Sequence, residues 1–148
     1  MRPLPMVGGM LDTVVRALSK SDLFAALRED QLRKVASRGE LLQAAQDEVI
    51  LAEGDPSGAF FLILSGTASV RTGEAVVSDV GAADIVGEMG VLLGRPRTAT
   101  VTASSPMVLL KFDASVFDAM FERIPGFGMA ICRALALRLA DVNLQVEM

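Results

Sequence analysis

Phe60-Phe61-Leu62-Ile63-Leu64, Ser65-Gly66, Thr67-Ala68-Ser69-Val70-Arg71, Thr72-Gly73-Glu74, Ala75-Val76-Val77-Ser78-Asp79-Val80: in residues 60–80, short apolar or β-branched runs alternate with turns that carry glycine. Runs of that length between turn formers are strands, and they are too short and too closely spaced for helices. Working outward, Val49-Ile50-Leu51 is a further short strand, separated from Phe60 by the turn-rich Glu53-Gly54-Asp55-Pro56-Ser57-Gly58. Thr98–Ala103 and Met107–Phe112 add two more. Strands at this spacing indicate a β-sandwich, jelly roll or small barrel.

Helical periodicity frames the strands. Leu11, Val14, Val15 and Leu18 fall on one helical face, Ser21-Asp22 opens a turn backed by Leu23, Phe24 and Leu27, and Leu32, Val35 and Ala36 mark a helix ending near Gly39. After the strands, Asp113 or Ser115 is placed to cap a helix through Val116, Phe117, Met120 and Phe121. Pro125 suits the first turn of a long helix reaching about Val146. That helix carries two apolar stripes, Phe127, Ile131, Leu135, Leu139 and Val142 on one and Ala130, Ala134, Leu137 and Leu144 near another. Two stripes predict two partners, its own β-structure and either a second subunit or a ligand. The chain is therefore read as one unit over residues 1–148: N-terminal helices 10–39, a β-roll 47–112, and C-terminal helices 113–146.

Composition removes several kinds of chemistry. The 148 residues include no His and one Cys, Cys132, which excludes a His-ligated haem and, within the chain, a disulfide framework, an iron–sulfur cluster or a Cys-rich zinc site. No metal and no cofactor is expected, nor is an enzyme. A formal charge of -4 argues against nucleic-acid binding, which needs clustered cations. No apolar run approaches the ~20 residues of a membrane span. The absence of a signal-like segment at residues 1–11 makes the cytoplasm the expected location. With 7 Phe and no Tyr or Trp, the core is expected to be mostly aliphatic. Cys132, between Ile131 and Ala134, is expected to be a small core residue.

The chemistry concentrates in Gly81–Val101, too long for a hairpin turn. Glu88–Leu93 reads as a single helical turn behind Gly87, and its amide groups and dipole suit a phosphate. Gly87 and Gly90 let backbone approach a ligand without a Cβ in the way. Arg97, stiffened by Pro96, suits two phosphate oxygens at once. Glu88 would repel a phosphate, so it is read as facing a hydroxyl donor such as a sugar 2′-OH while helping to orient Arg97. An acid and a base so placed describe a ribose phosphate.

Gly87-Glu88-Met89-Gly90-Val91-Leu92-Leu93-Gly94-Arg95-Pro96-Arg97-Thr98-Ala99-Thr100-Val101 closely resembles the phosphate-binding cassette (84–101) of cyclic nucleotide-binding domains, the family of kinase regulatory subunits, gated channels and catabolite-activator-type transcription factors. The resemblance covers about residues 20–146, and Glu53-Gly54-Asp55 with Phe60–Val70 looks like the family's early strands. It implies a mainly β fold with flanking helices: an antiparallel β-roll or jelly-roll barrel with N-terminal helices, a short phosphate-binding helix and C-terminal lid helices. It implies a ligand, cAMP more than cGMP. Glu88 would accept from the 2′-OH, Arg97 would pair with the cyclic phosphate, the backbone of Gly87, Met89 and Gly90 would line the site, and Thr98 would sit beside phosphate and purine. The last helix would be a lid, its purine cap an aliphatic side chain, Arg133 or Arg138. Leu92 and Leu93 would couple cassette to lid.

Plainer readings stand beside these. Alone, Arg97 reads as a surface arginine paired with Glu88, Gly54, Gly58 and Gly66 as turn residues, and Arg133 and Arg138 as solvated. No helix-turn-helix follows, so the chain is either a stand-alone sensor or a piece of a larger regulator. Its partners would be the nucleotide, a second copy through the C-terminal helix, or an unseen effector. A degenerate pocket serving protein interaction or dimerisation is the alternative function, and a phosphosugar enzyme of cupin type ranks last for want of His.

Overall fold

The computed structural model describes residues 1–147, with side chains placed through residue 141. In chain order the elements are β1 (Arg2–Pro3), α1 (Met10–Lys20), α2 (Glu29–Ala36), β2 (Glu40–Ala44), β3 (Val49–Leu51), β4 (Ala59–Ser65), β5 (Ala68–Thr72), β6 (Ala75–Val80), β7 (Ile85–Val86), α3 (Glu88–Leu93), β8 (Thr100–Ala103), β9 (Met107–Asp113), α4 (Ala114–Arg123) and α5 (Phe127–Glu147). Helices, strands and helices follow one another as the sequence predicts. The two-residue β1 and β7 and the strand β2 are additions.

The strands form two antiparallel sheets, β1-β2-β9-β4-β7 and β3-β8-β5-β6. They are packed sheets and do not close into a barrel. Alternation along β4 explains the layering, since successive side chains leave a strand on opposite faces. Phe60 and Leu62 face the helices, whereas Phe61 and Ile63 face the second sheet. On β9, paired with β4, Leu110 and Phe112 join the helical side while Met107 and Leu109 join the inter-sheet side. The layers are therefore helices, first sheet, second sheet, with apolar cores in both gaps.

The helix-side core is mostly aliphatic, as expected, but it is built around a cluster of five phenylalanines. Phe24, Phe60, Phe112, Phe117 and Phe127 are all nearly inaccessible and touch one another, with Phe60 5.0 Å from Phe112 in a stacked pair and 5.0 Å from Phe117 edge-on. These aromatics are gathered from four elements and the turn after α1 into one place, where each buries a large area and gains from ring–ring geometry. Val14, Val15 and Leu18 of α1 and Leu32, Val35 and Ala36 of α2 pack around them. Gln31 of α2 also bonds the Pro125 carbonyl, tying α2 to the turn before α5.

Three further expectations are corrected. Asp113 occupies the N-cap of α4 but makes no side-chain capping bond, its carboxylate lying 3.7 Å from Lys111 instead. Pro125 precedes α5, in the turn completed by Gly126 at φ 78°. Along α5, Phe127, Ala130, Ile131 and Ala134 are buried, whereas Cys132, Leu137 and Leu139 are exposed. A helix lying on one layer buries a single stripe, and Cys132 falls outside it. Val142, Leu144 and Val146 lie outside the residues whose side chains are described.

Candidate functional site

Residues 87–99 carry the chain from β7, at the edge of the first sheet, to β8 in the second. They form one wall of a cavity of about 430 Å³ whose other side is the apolar surface of Leu51, Val70, Val80, Ile85 and Val101. Gly87, Glu88, Met89, Gly90, Arg97 and Thr98, the residues singled out by the sequence, all line it, along with Leu93 and Arg95. An apolar cleft of this volume with a few convergent polar groups is the usual form of a small-molecule site.

The segment between β3 and β4 holds the cassette in place. The Gly54 amide donates to the Arg97 carbonyl and the Arg97 amide to the Asp55 carbonyl, each at 2.8 Å. The Ser57 hydroxyl bonds the Arg95 carbonyl, and the Glu53 amide reaches Thr100 Oγ1 at 3.0 Å. A run that reads as a turn is thus a clamp. It also gives the two cassette glycines a reason beyond ligand approach. A Cβ on Gly90 would stand 2.1 Å from Ser57 Oγ, and one on Gly87, whose φ is 87°, would stand 2.6 Å from Arg97 Nη1.

Arg97 does not pair with Glu88. Its guanidinium turns inward, Nη1 donating to the Gly87 carbonyl at 2.8 Å and Nη2 to the Ala59 carbonyl. The residue is 8% exposed, and no carboxylate among the described residues lies within ion-pair distance of it. Burial pushes its pKa below the ordinary value, opposed by the more distant charges of Asp55 and Glu88. Burying a cation is costly unless it is paired, and here only carbonyl dipoles among the described residues offset that cost.

Glu88, which lines the cavity, takes its side-chain hydrogen bond from the last helix. Arg138 Nη1 on α5 donates to Glu88 Oε1 at 3.3 Å, and the same guanidinium grips both carboxylate oxygens of Asp22, in the turn after α1, at 2.6 and 2.9 Å. Burial raises the Glu88 pKa, against the pull of its own backbone amide and of Arg138. Arg138 is therefore not a solvated side chain, whereas Arg133 is exposed. Its partners lie 50 and 116 residues away, so no local pattern could have revealed the contact. Among the described residues none of α5 lines the cavity. Val91 and Leu92, rather than Leu92 and Leu93, pack against the helix-side core, Leu93 being exposed.

Comparison with known proteins places the fold in a family. The family model described as cyclic nucleotide-binding domain matches residues 41–124. The acetyltransferase Pat of Mycolicibacterium smegmatis is 34% identical over 134 residues, covering 86% of this chain and 40% of that protein. Among solved structures, the N-terminal domain of a transcriptional regulator from Streptomyces coelicolor superimposes with a TM-score of 0.79 at 27% identity, covering 86% of this chain and 94% of that one. The regulatory domain of Toxoplasma gondii PKA, solved with cAMP, gives 0.73 at 28% identity, covering 78% and 46%. The chain belongs to the cyclic nucleotide-binding domain family. It spans about 40% of the length of the curated relatives it matches. No helix among the described residues is long and apolar enough to cross a membrane.

Proposed function

We propose that this chain is an allosteric cyclic-nucleotide sensor, without catalysis of its own, that binds cAMP in preference to cGMP. The observation that carries the reading is Arg97, a buried guanidinium that faces a cavity with carbonyl partners and no carboxylate. A cyclic phosphate is the counter-charge suited to it. Glu88 accepts from the ribose 2′-OH, the backbone of Gly87, Met89 and Gly90 surrounds the phosphate, and Thr98, exposed at the cavity wall, stands by phosphate and purine. The base rests on Val70, Val80, Ile85 and Val101. The cAMP in the Toxoplasma gondii relative supports the choice of base.

Binding repositions the C-terminal helices, because a ligand shifts an equilibrium only through contacts that differ between two states. Here those contacts run from the cassette through Val91 and Leu92 to the core shared with α5. A second copy of the chain is the proposed partner of α5, where Met129, Leu137 and Leu139 are exposed. The proposed place of action is the cytoplasm, where a lone thiol stays reduced. Thermal-shift measurement with cAMP and cGMP on nucleotide-free protein tests the whole reading. A saturable rise in Tm, larger with cAMP, is the expected result. No shift with either moves the function to a protein-interaction module of the same fold.

A further inference from the structure

The contact among Asp22, Arg138 and Glu88 joins the N-terminal turn, the last helix and the cassette, three parts of the chain that no motif connects. Asp22 takes two bonds from Arg138, at 2.6 and 2.9 Å, through Nε and Nη2. A two-point grip of this kind fixes a guanidinium in its plane as well as in position. With the fork so held, Nη1 is left to reach Glu88 at 3.3 Å. The side chains of Glu88 and Arg138 are 13% and 28% exposed, that of Asp22 61%. The Glu88 contact is the shielded end of the chain of charges and Asp22 its solvent-facing anchor.

We infer that Arg138, locked by Asp22, is a positioning residue for Glu88: it aims the carboxylate at the sugar end of the cavity and ties ribose recognition to both α5 and the N-terminal turn. The inference rests on the reading of the cavity as a nucleotide site. It adds a second route for the signal, through residues 21–27 as well as through the lid. The charges facing Glu88 are Arg138 from α5, Asp22 from the turn and, at longer range, Arg97 from the cassette arm. Burial already disfavours the Glu88 anion, and Asp22 adds repulsion. Removing Arg138 leaves both effects with less opposition. Removing the Asp22 charge also removes that repulsion, so its effect reaches Glu88 through the freed Arg138 side chain.

The test uses the full chain as wild type, Arg138→Gln, Arg138→Lys and Asp22→Asn, with two readouts. The first needs no ligand: carboxyl ¹³C NMR titration of Glu88. Its midpoint should rise in Arg138→Gln and stay closer to wild type in Arg138→Lys, which keeps a charge but not the fork. The second is the ratio of affinities for cAMP and 2′-deoxy-cAMP. That ratio should fall about tenfold in Arg138→Gln, the size of one hydrogen bond to a charged group, and less in Asp22→Asn, whose exposed site makes misfolding an unconvincing explanation. An unchanged Glu88 midpoint together with an unchanged ratio overturns the inference. A wild type that binds neither nucleotide overturns the sensor reading instead, and the ligand-free titration still decides whether Arg138 governs Glu88.

Discussion

Arg97 Nη1 donates to the carbonyl of Gly87 at 2.8 Å, so the residue that begins the cassette helix also holds the cation that follows the helix. The two ends of the cassette are one unit. Gly87 has φ 87° and a Cβ there would stand 2.6 Å from that nitrogen. Gly87→Ala should cost about 1–3 kcal/mol of stability, through backbone strain and a displaced Arg97. Urea denaturation reads the loss, and a change below about 0.5 kcal/mol, the size of an ordinary surface substitution, would contradict the geometry.

Gly90 and Ser57 form the other tight contact, with a Cβ on Gly90 falling 2.1 Å from Ser57 Oγ and 2.8 Å from Ser57 Cβ. Gly90→Ala alone should destabilise the fold, and adding Ser57→Gly should recover part of the loss. The coupling in this double-mutant cycle is expected within about 0.5–3 kcal/mol. Strict additivity would mean that the clamp does not press on α3.

Glu88 is an acid whose folded-state pKa is raised by burial, so the folded chain binds its proton more tightly than the unfolded chain does. Stability from this group is present below the unfolded value of 4.5 and is lost as pH rises through the higher folded value. Glu88→Gln should therefore raise the Tm of the ligand-free protein at neutral pH and flatten its decline above pH ~4.5. Thermal melts across pH for both proteins check this. A lower Tm for Glu88→Gln at neutral pH would show that the ion pair with Arg138 outweighs burial.

Met129, Leu137 and Leu139 remain exposed on α5. If a second copy covers them, Leu137→Glu with Leu139→Glu should abolish concentration-dependent association in sedimentation equilibrium. The monomer's own stability should stay within about 0.5 kcal/mol per site, as for surface positions. A wild type that sediments as a monomer at every concentration removes the second copy as partner.

The strands from Val49 to Val80, the short cassette helix and Gly87, Glu88, Gly90 and Arg97 were legible from local pattern (alternation, turn formers, a glycine-bounded helical turn), whereas Met89 and Thr98 came only from the resemblance to the family. β2 was missed because Glu40-Leu41-Leu42-Gln43-Ala44 lacks β-branched residues and takes its extended form from pairing with β9. The clustering of the phenylalanines within a mainly aliphatic core was not legible, because composition counts residues without saying which ones meet. The bond from Arg97 to the Ala59 carbonyl and the grip of Arg138 on Asp22 and Glu88 depend on contacts 38 to 116 residues apart. The sequence picked out residues that line one cavity but paired Glu88 with Arg97, where the structure pairs it with Arg138.

The central claim is that Arg97 is the counter-charge for a cyclic phosphate, and isothermal titration of cAMP into wild type and Arg97→Ala tests it most directly. Saturable binding to the wild type, weakened by about 2–5 kcal/mol in the variant, is the predicted result, since truncating one partner of a buried charge pair costs that much. Equal affinities in the two proteins would contradict the account.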